Sequence, residues 1–218
     1  MLGQAHMALG AACGLALMGV CPYQEHALWT LPVALVAGGL PDVLDCRNAA
    51  GRGALALSWS GISADAVRIL RGARRVGCLH GILRLAAGYL LLLPRVLAAL
   101  CLDLIARTIP HRGLTHWALT WLLLSIMVLT GITMFSPSAR VVGLAFSAGY
   151  LSHILGDMLT LGGVPVLGPF CRRRLHLLPR ALRFRFDAPV QWLIVAGACG
   201  AAWSVGSLRL LELLGGLL

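Results

Sequence analysis

The chain has 218 residues, of which 59% are hydrophobic and 12% are charged, and its mean hydropathy is +0.85. A soluble domain has to cover its surface with polar groups, so this composition excludes an ordinary soluble protein and indicates an integral membrane protein. The formal net charge is +10, because 18 basic residues, all arginine, stand against 8 acidic ones.

Apolar segments long enough to cross a hydrocarbon core of roughly 30 Å follow one another along the chain. They are residues 2–20, 28–44, 114–135, 140–161 and 189–214. The first segment lacks the basic start of a signal peptide, so we interpret it as a retained helix. A sixth apolar segment, 85–106, is interrupted by Pro94, Arg95 and Asp103. The sequence therefore predicts an all-α polytopic bundle with about five transmembrane helices plus one re-entrant or interfacial helix.

The arginines indicate the orientation of this bundle. Sixteen of them fall within 47–112 or 172–185, and arginine-rich loops stay on the cytoplasmic side of a bacterial inner membrane. We expect a cytoplasmic N-terminus, an outside C-terminus and one membrane domain over 1–218, in which 46–113 is a cytoplasmic or interfacial excursion. Anionic membrane lipids are expected partners. Nucleic acid is not, because no recognisable binding motif accompanies the charge.

Histidines and aspartates recur near the ends of the spans that this topology directs to the cytoplasmic side. An ionisable side chain inside a span costs roughly 2.5–3.5 kcal/mol, so such residues usually have partners and a purpose. His153 and Asp157 are four residues apart and project from the same side of a helix. The candidate metal ligands are His6, Asp42, Asp45, His111, His116, His153 and Asp157.

This set of oxygen and nitrogen donors suits zinc best, with manganese or iron as alternatives. Seven donors exceed the need of one tetrahedral ion, so we expect two ions, which together can clamp a phosphoryl group and activate water. The sequence thus predicts a hydrolase acting on a phosphoester in a lipid or another membrane-associated substrate. The residues expected to support the reaction are Asp45 as general base, Arg112 and Arg172–Arg174 as phosphate-binding groups, and Thr115 and Thr160 as residues that orient ligands.

Other interpretations fit the same residue types. A single histidine in a membrane helix more often forms a hydrogen bond between helices than binds a metal. A non-catalytic metal-binding or metal-transport protein would use the same residue types. A transporter would normally have its site near the middle of the bilayer, whereas the outer halves of these spans contain almost no ionisable residues. A scaffold that binds a cytoplasmic partner through its arginines is a third possibility.

Three segments carry a resemblance to a known family. "GGLPDVLD", "PHRGLTHW" and "GYLSHILGDMLTLGGVPVLGP" resemble the signature segments of the YdjM-like bacterial inner-membrane proteins, which are assigned by analogy as metal-dependent hydrolases and are sometimes LexA-regulated. The resemblance implies metal or catalytic roles for the seven ligand candidates. The H-x-x-x-D spacing is also faintly similar to soluble zinc-dependent phospholipase C enzymes.

The chain departs from the family pattern in two places. Trp117 follows His116 where a small hydroxylic residue is more usual, and the 85–106 segment extends a connection that is usually short. If 85–106 crossed the membrane once, His111 and His116 would face away from Asp42 and Asp45. We therefore predict that this segment is re-entrant or lies at the inner interface.

Overall fold

The computed structural model describes residues 2–21, 24–45, 59–74, 78–108, 112–185 and 188–215. Within these ranges the chain forms seven α-helices and three short 3₁₀ turns, and only isolated β-bridges join extended segments. The helices are α1 (Gly3–Val20), α2 (Gln24–Leu44), α3 (Trp59–Ala73), α4 (Cys78–Thr108), α5 (Ala118–Phe135), α6 (Arg140–Met158) and α7 (Val190–Gly215). The prediction of an all-helical polytopic bundle is confirmed.

Six stretches of the described chain are helical, long and apolar enough to cross a membrane. They are Gly3–Val20, Glu25–Leu44, Cys78–Cys101, Ala118–Phe135, Pro137–Met158 and Val190–Gly215. Five of them match the predicted spans. The sixth belongs to α4, which runs through the 85–106 segment as one continuous helix despite Pro94. Length and composition allow α4 to cross, so its re-entrant or interfacial position stays a prediction.

The chain divides into two compact units. The first comprises Met1–Pro41 and Arg112–Leu218, and the second comprises Asp42–His111. The first unit therefore contains α1, most of α2, and α5 to α7, while the second contains α3 and α4. The second unit begins close to the start of the predicted 46–113 excursion. That the whole chain is a single membrane domain stays a prediction.

Small residues let the helices of the first unit approach closely. A Cβ added to Gly38 of α2 would lie 2.6 Å from the carbonyl oxygen of His6 in α1. A Cβ added to Gly149 of α6 would collide with the carbonyl group of Ala34 in α2. Backbones can come this near only where no side chain intervenes. The approach brings the polar residues of α1 and α6 together around α2.

The outer faces of the first unit are strongly apolar. On α5 and α7, large side chains such as Met134, Phe135, Leu193 and Leu208 are 73% to 95% exposed. Soluble monomers rarely expose contiguous apolar surface of this kind, whereas a helix in contact with acyl chains needs it. The surface therefore agrees with the composition in placing the protein in a membrane.

The second unit is a pair of antiparallel helices. Ile62 and Ile69 of α3 pack against Leu92, Val96 and Ala99 of α4. The remaining face of α3 is polar and that of α4 is largely leucine, so the two helices differ in what they present outward.

The loop between α6 and α7 folds back over the end of α6. Thr160 pairs with Phe184 and Val164 pairs with Leu175 in isolated bridges. The backbone N–H of Ala118, at the start of α5, donates to the carbonyl of Val166 over 2.8 Å. These contacts hold the loop and the beginning of α5 beside the end of α6, where His153 and Asp157 lie.

Candidate metal centre

Four polar side chains from three segments meet inside the first unit. They are His6 of α1, His116 of the turn before α5, and His153 and Asp157 of α6, and each is at most 1% exposed. His6 Nε2 lies 3.1 Å from Asp157 Oδ1, and His116 Nε2 lies 3.1 Å from His153 Nε2. His116 Nε2 is also 3.6 Å from Asp157 Oδ2. We name these four residues the His/Asp cluster.

The backbone of α2 determines the protonation of His153. Its Nδ1 lies 2.8 Å from the carbonyl oxygen of Gly38. A carbonyl oxygen only accepts, so Nδ1 carries the proton, and in the neutral ring Nε2 then holds a lone pair. That lone pair faces His116 and Asp157. A ligand histidine in metalloproteins is usually oriented by this kind of hydrogen bond.

His116 lies in the Leu114–His116 turn, outside the candidate spans. Burial, reinforced by the neighbouring His153, holds the pKa of His116 well below its usual range. Its ring is therefore neutral at neutral pH. Its Nδ1 lies 2.9 Å from the hydroxyl of Thr115, which orients the ring.

His6 stacks on His153, with ring centroids 3.8 Å apart and an interplanar angle of 24°. Its Nε2 contacts Asp157, while its Nδ1 is buried and has no hydrogen-bond partner among the described residues. A network built only for helix packing normally satisfies its buried polar atoms. The Nδ1 atom of His6 therefore has a hydrogen-bonding or metal-binding position that no described residue fills.

Three donors of the His/Asp cluster, from His116, His153 and Asp157, have separations close to those around a tetrahedral ion. With metal–nitrogen bonds of about 2.0–2.1 Å, tetrahedral donors are separated by about 3.3–3.4 Å. The separations of 3.1 and 3.6 Å from His116 Nε2, and of 4.0 Å between His153 Nε2 and Asp157 Oδ2, bracket that value. Three imidazoles and one carboxylate are a donor set that zinc accepts.

Arg112 lies at the edge of the cluster. Its Nη2 donates to Asp157 Oδ1 over 3.0 Å, and its side chain is 14% exposed. The backbone φ of Arg112 is 57°, a left-handed conformation that costs a residue with a Cβ about 1–2 kcal/mol. Contacts with Asp157 and, over 3.4 Å, with Thr160 and Gly163 hold the guanidinium in place.

Two further groups predicted from the sequence lie near Arg112. The Thr160 hydroxyl donates to the Asp157 carbonyl over 2.8 Å, at the end of α6. Arg172, Arg173 and Arg174 are exposed, and Arg174 donates to the Gly162 carbonyl over 2.9 Å. A Cβ on Gly162 would lie 2.7 Å from Nη1 of Arg112, so Arg112 and Arg174 flank the same glycine.

Two of the other predicted ligands lie at the end of α2. Asp42 lies on the last turn of α2, and Asp45 is buried directly after that helix. Both belong to the second unit. His111 lies outside the described residues. The roles of these three residues, like the ligand roles of the His/Asp cluster, stay predictions.

The structure also reveals two polar residues that the sequence analysis missed. The Tyr150 hydroxyl donates to the Thr115 carbonyl over 2.6 Å, which attaches the Leu114–His116 turn to α6. Its position three residues before His153 was a usable signal, because the two share a helix face. Buried Gln191, at the start of α7, accepts a hydrogen bond from the backbone of Leu2 over 3.0 Å. Nothing in the local pattern indicated that contact.

Comparison with known proteins gives the family. The chain matches the family described as YdjM inner membrane protein over residues 1–213. The inner membrane proteins YdjM of Escherichia coli (strain K12) and of Shigella flexneri are each 45% identical to it over 75 residues, 34% of this chain and 37% of the relative. The match thus spans little more than a third of the length of these curated relatives. No solved structure matches the chain significantly. This multi-pass inner membrane protein belongs to the YdjM inner membrane protein family.

Proposed function

We propose that this protein is a metal-dependent hydrolase of a phosphoester in a lipid or another membrane-associated substrate. One observation carries the proposal. His153 has its proton fixed on Nδ1 by the Gly38 carbonyl, and its Nε2 lies 3.1 Å from His116 Nε2 and 4.0 Å from Asp157 Oδ2, close to the distance between two ligands of one metal ion. No described residue forms a hydrogen bond with Nδ1 of His6, which argues against a network that serves packing alone.

His6, His116, His153 and Asp157 would hold one divalent ion, most suitably zinc. A bound ion of this class supplies Lewis acidity toward a phosphoryl oxygen and lowers the pKa of a water molecule. The second ion belongs to the same proposal and would require Asp42, Asp45 and His111. Asp45 is also the proposed general base, because a carboxylate that is not fully committed to metal can orient water and accept its proton.

Arg112 supports a phosphate substrate in this proposal. Its guanidinium is more exposed than the four cluster residues and is held by Asp157, Thr160 and Gly163. The planar group has parallel donors that suit phosphate oxygens. Arg174, on the other side of Gly162, adds a second positive charge. An anionic group approaching this loop would therefore meet both arginines before it reached the buried donors.

The metal content of protein purified in detergent tests the proposal. We expect at least one equivalent of zinc, manganese or iron in the wild type by elemental analysis, and its loss in His153→Ala and Asp157→Asn. His26→Ala is the matched control, because His26 is at the opposite end of α2 from Gly38 and contacts Ser138. Wild-type protein that stays metal-free after incubation with these ions would refute the proposal.

Burial of the cluster favours a second candidate, a metal-binding or metal-transport protein without turnover. All four residues are at most 1% exposed, which leaves a substrate little direct access. The two functions differ in a simple assay. Metal-loaded protein that hydrolyses phosphatidic acid or p-nitrophenyl phosphate, with loss of activity in Asp157→Asn, is a hydrolase. Metal flux into proteoliposomes without any hydrolysis would indicate a transporter.

A further inference from the structure

The second unit contains a cavity that is unrelated to the His/Asp cluster. It has a volume of ≈ 640 Å³ and lies between α3 and α4. Its polar lining consists of Asp65 and Arg68 of α3 and of Arg84 and Arg95 of α4. Cavities of this size suit small organic ligands.

The cavity has an excess of positive charge. Asp65 is the acidic residue in its lining, and it pairs with two of the three arginines, Arg95 over 2.6 Å and Arg68 over 3.2 Å. Arg84 instead donates to the carbonyl of Gly72 over a long 3.4 Å. Among the described lining residues, one carboxylate therefore balances three guanidinium groups, which leaves two positive charges. Guanidinium groups bind phosphate through paired, charge-assisted hydrogen bonds.

The rest of the lining is apolar. Ile69, Gly88, Leu91 and Leu92 contribute to the floor, and Gly88 allows the two helices to lie close, since a Cβ there would be 2.7 Å from Ile69. A free phosphate ion would gain nothing from such a floor. A ligand with an anionic head and an apolar tail would use both parts of the cavity.

The surface of α4 indicates that such ligands surround it. Leu79, Leu83, Leu90, Leu93 and Leu97 are each at least 50% exposed. A helix with this surface requires an apolar environment, which in an inner membrane consists of acyl chains. Arg84 and Arg95 lie on this same helix, so their charges are presented next to lipid.

We propose that the cavity between α3 and α4 is a binding site for an anionic phospholipid, whose phosphate lies between Arg68 and Arg84 and whose acyl chain lies along Ile69, Leu91 and Leu92. The site is independent of the metal centre. It would make binding of this unit to the membrane selective for acidic lipids, beyond the general attraction of basic loops for a negative surface.

Native mass spectrometry of the full chain in dodecyl maltoside tests the proposal. Dioleoylphosphatidylglycerol is titrated against dioleoylphosphatidylcholine and inorganic phosphate. We expect the glycerol lipid to bind at least about tenfold more tightly than the choline lipid. The double variant Arg68→Gln/Arg84→Gln should lose most of this preference. Arg71→Gln/Arg74→Gln is the control, because it removes the same charge from exposed positions outside the cavity.

A further variant keeps every arginine. Ala87 lines the cavity and is exposed, so Ala87→Phe should occlude the apolar floor and weaken binding while a monodisperse profile in size-exclusion chromatography shows that the protein is folded. An equal loss in both arginine double variants would mean diffuse attraction and overturn the proposal. Competition by inorganic phosphate at the affinity of the lipid would overturn it as well, because the apolar floor would then contribute nothing.

Discussion

At the scale of single residues, the protonation and orientation of the His/Asp cluster depend on groups outside the cluster. Gly38 contributes a carbonyl oxygen that fixes the tautomer of His153, and Thr115 contributes a hydroxyl that orients His116. These partners are as necessary to a metal site as the donors, because a ring that rotates or binds its proton on the wrong nitrogen no longer presents a lone pair.

Tyr150→Phe removes the hydrogen bond to the Thr115 carbonyl that attaches the His116 turn to α6. We expect a loss of about 0.5–1.5 kcal/mol in the free energy of unfolding, because a partly buried hydrogen bond is lost. Metal affinity should fall by about tenfold, because His116 is held less firmly. Competition with a fluorescent chelator measures the affinity. Tyr89→Phe, at a 42% exposed position, is the control and should change neither quantity.

Arg112→Gln removes the cation that donates to Asp157 and faces the loop around Gly162. In the proposed hydrolase we expect a fall of about 10²- to 10³-fold in kcat, the effect typical of losing a group that stabilises transition-state charge. The metal content should remain unchanged. Arg112→Lys keeps the charge but not the paired donors, so it should recover only part of the activity. Loss of metal in Arg112→Gln would instead assign Arg112 a structural role.

At the scale of helices, the close contacts of α1, α2 and α6 determine whether the cluster can assemble. Gly149 lies one helical turn before His153, and its Cα faces the backbone of Ala34. A side chain at this position would move α6 away from α2 and, with it, His153 away from the Gly38 carbonyl. Packing and ligand geometry are therefore coupled through one glycine.

Gly149→Ala should lower the free energy of unfolding by about 1–3 kcal/mol, the usual cost of overpacking a tight contact. Gly131→Ala is a matched control on α5, where an added Cβ meets nothing within 4 Å. It should be neutral or stabilise by up to about 1 kcal/mol, because alanine is the better helix former. Equilibrium unfolding in mixtures of dodecyl maltoside and sodium dodecyl sulfate compares the two. Equal effects would show that the contact with Ala34 is unimportant.

At the scale of the whole molecule, the position of α4 determines the topology. If α4 crosses, the chain has six spans and both termini lie on the same side. If it lies at the interface, five spans put the termini on opposite sides. The sequence analysis predicts the second arrangement.

Cysteine labelling distinguishes these arrangements, because Cys78 and Cys101 are both exposed and lie at the two ends of the candidate span. The experiment uses variants that each keep one of these cysteines and replace the others by alanine. We expect a membrane-impermeant maleimide to label both positions from the cytoplasmic side only. Labelling from opposite sides would show that α4 crosses the membrane and that the predicted topology is wrong.

Local composition was sufficient to predict much of the fold. Five spans and the all-helical class follow from hydropathy, because the cost of exposing backbone to lipid makes a long apolar segment helical wherever it lies in the chain. The spacing of His153 and Asp157 likewise determined that they share a helix face. The meeting of His6 and His116 with them was a prediction from topology, and in the folded chain the four residues lie together.

Other features depend on contacts between distant parts of the chain. The bond between Tyr150 and Thr115 joins residues 35 apart, and that between Leu2 and Gln191 joins residues 189 apart. No local pattern encodes such pairs. The cavity between α3 and α4 likewise combines residues from two helices, such as Arg68 and Arg84. The sequence by itself thus determined the helices and the chemical nature of the candidate ligands, because both depend on neighbouring residues. The tertiary structure alone decided the tautomer of His153, the left-handed Arg112 and the arginine-lined cavity, because these depend on which distant groups the folded chain brings into contact.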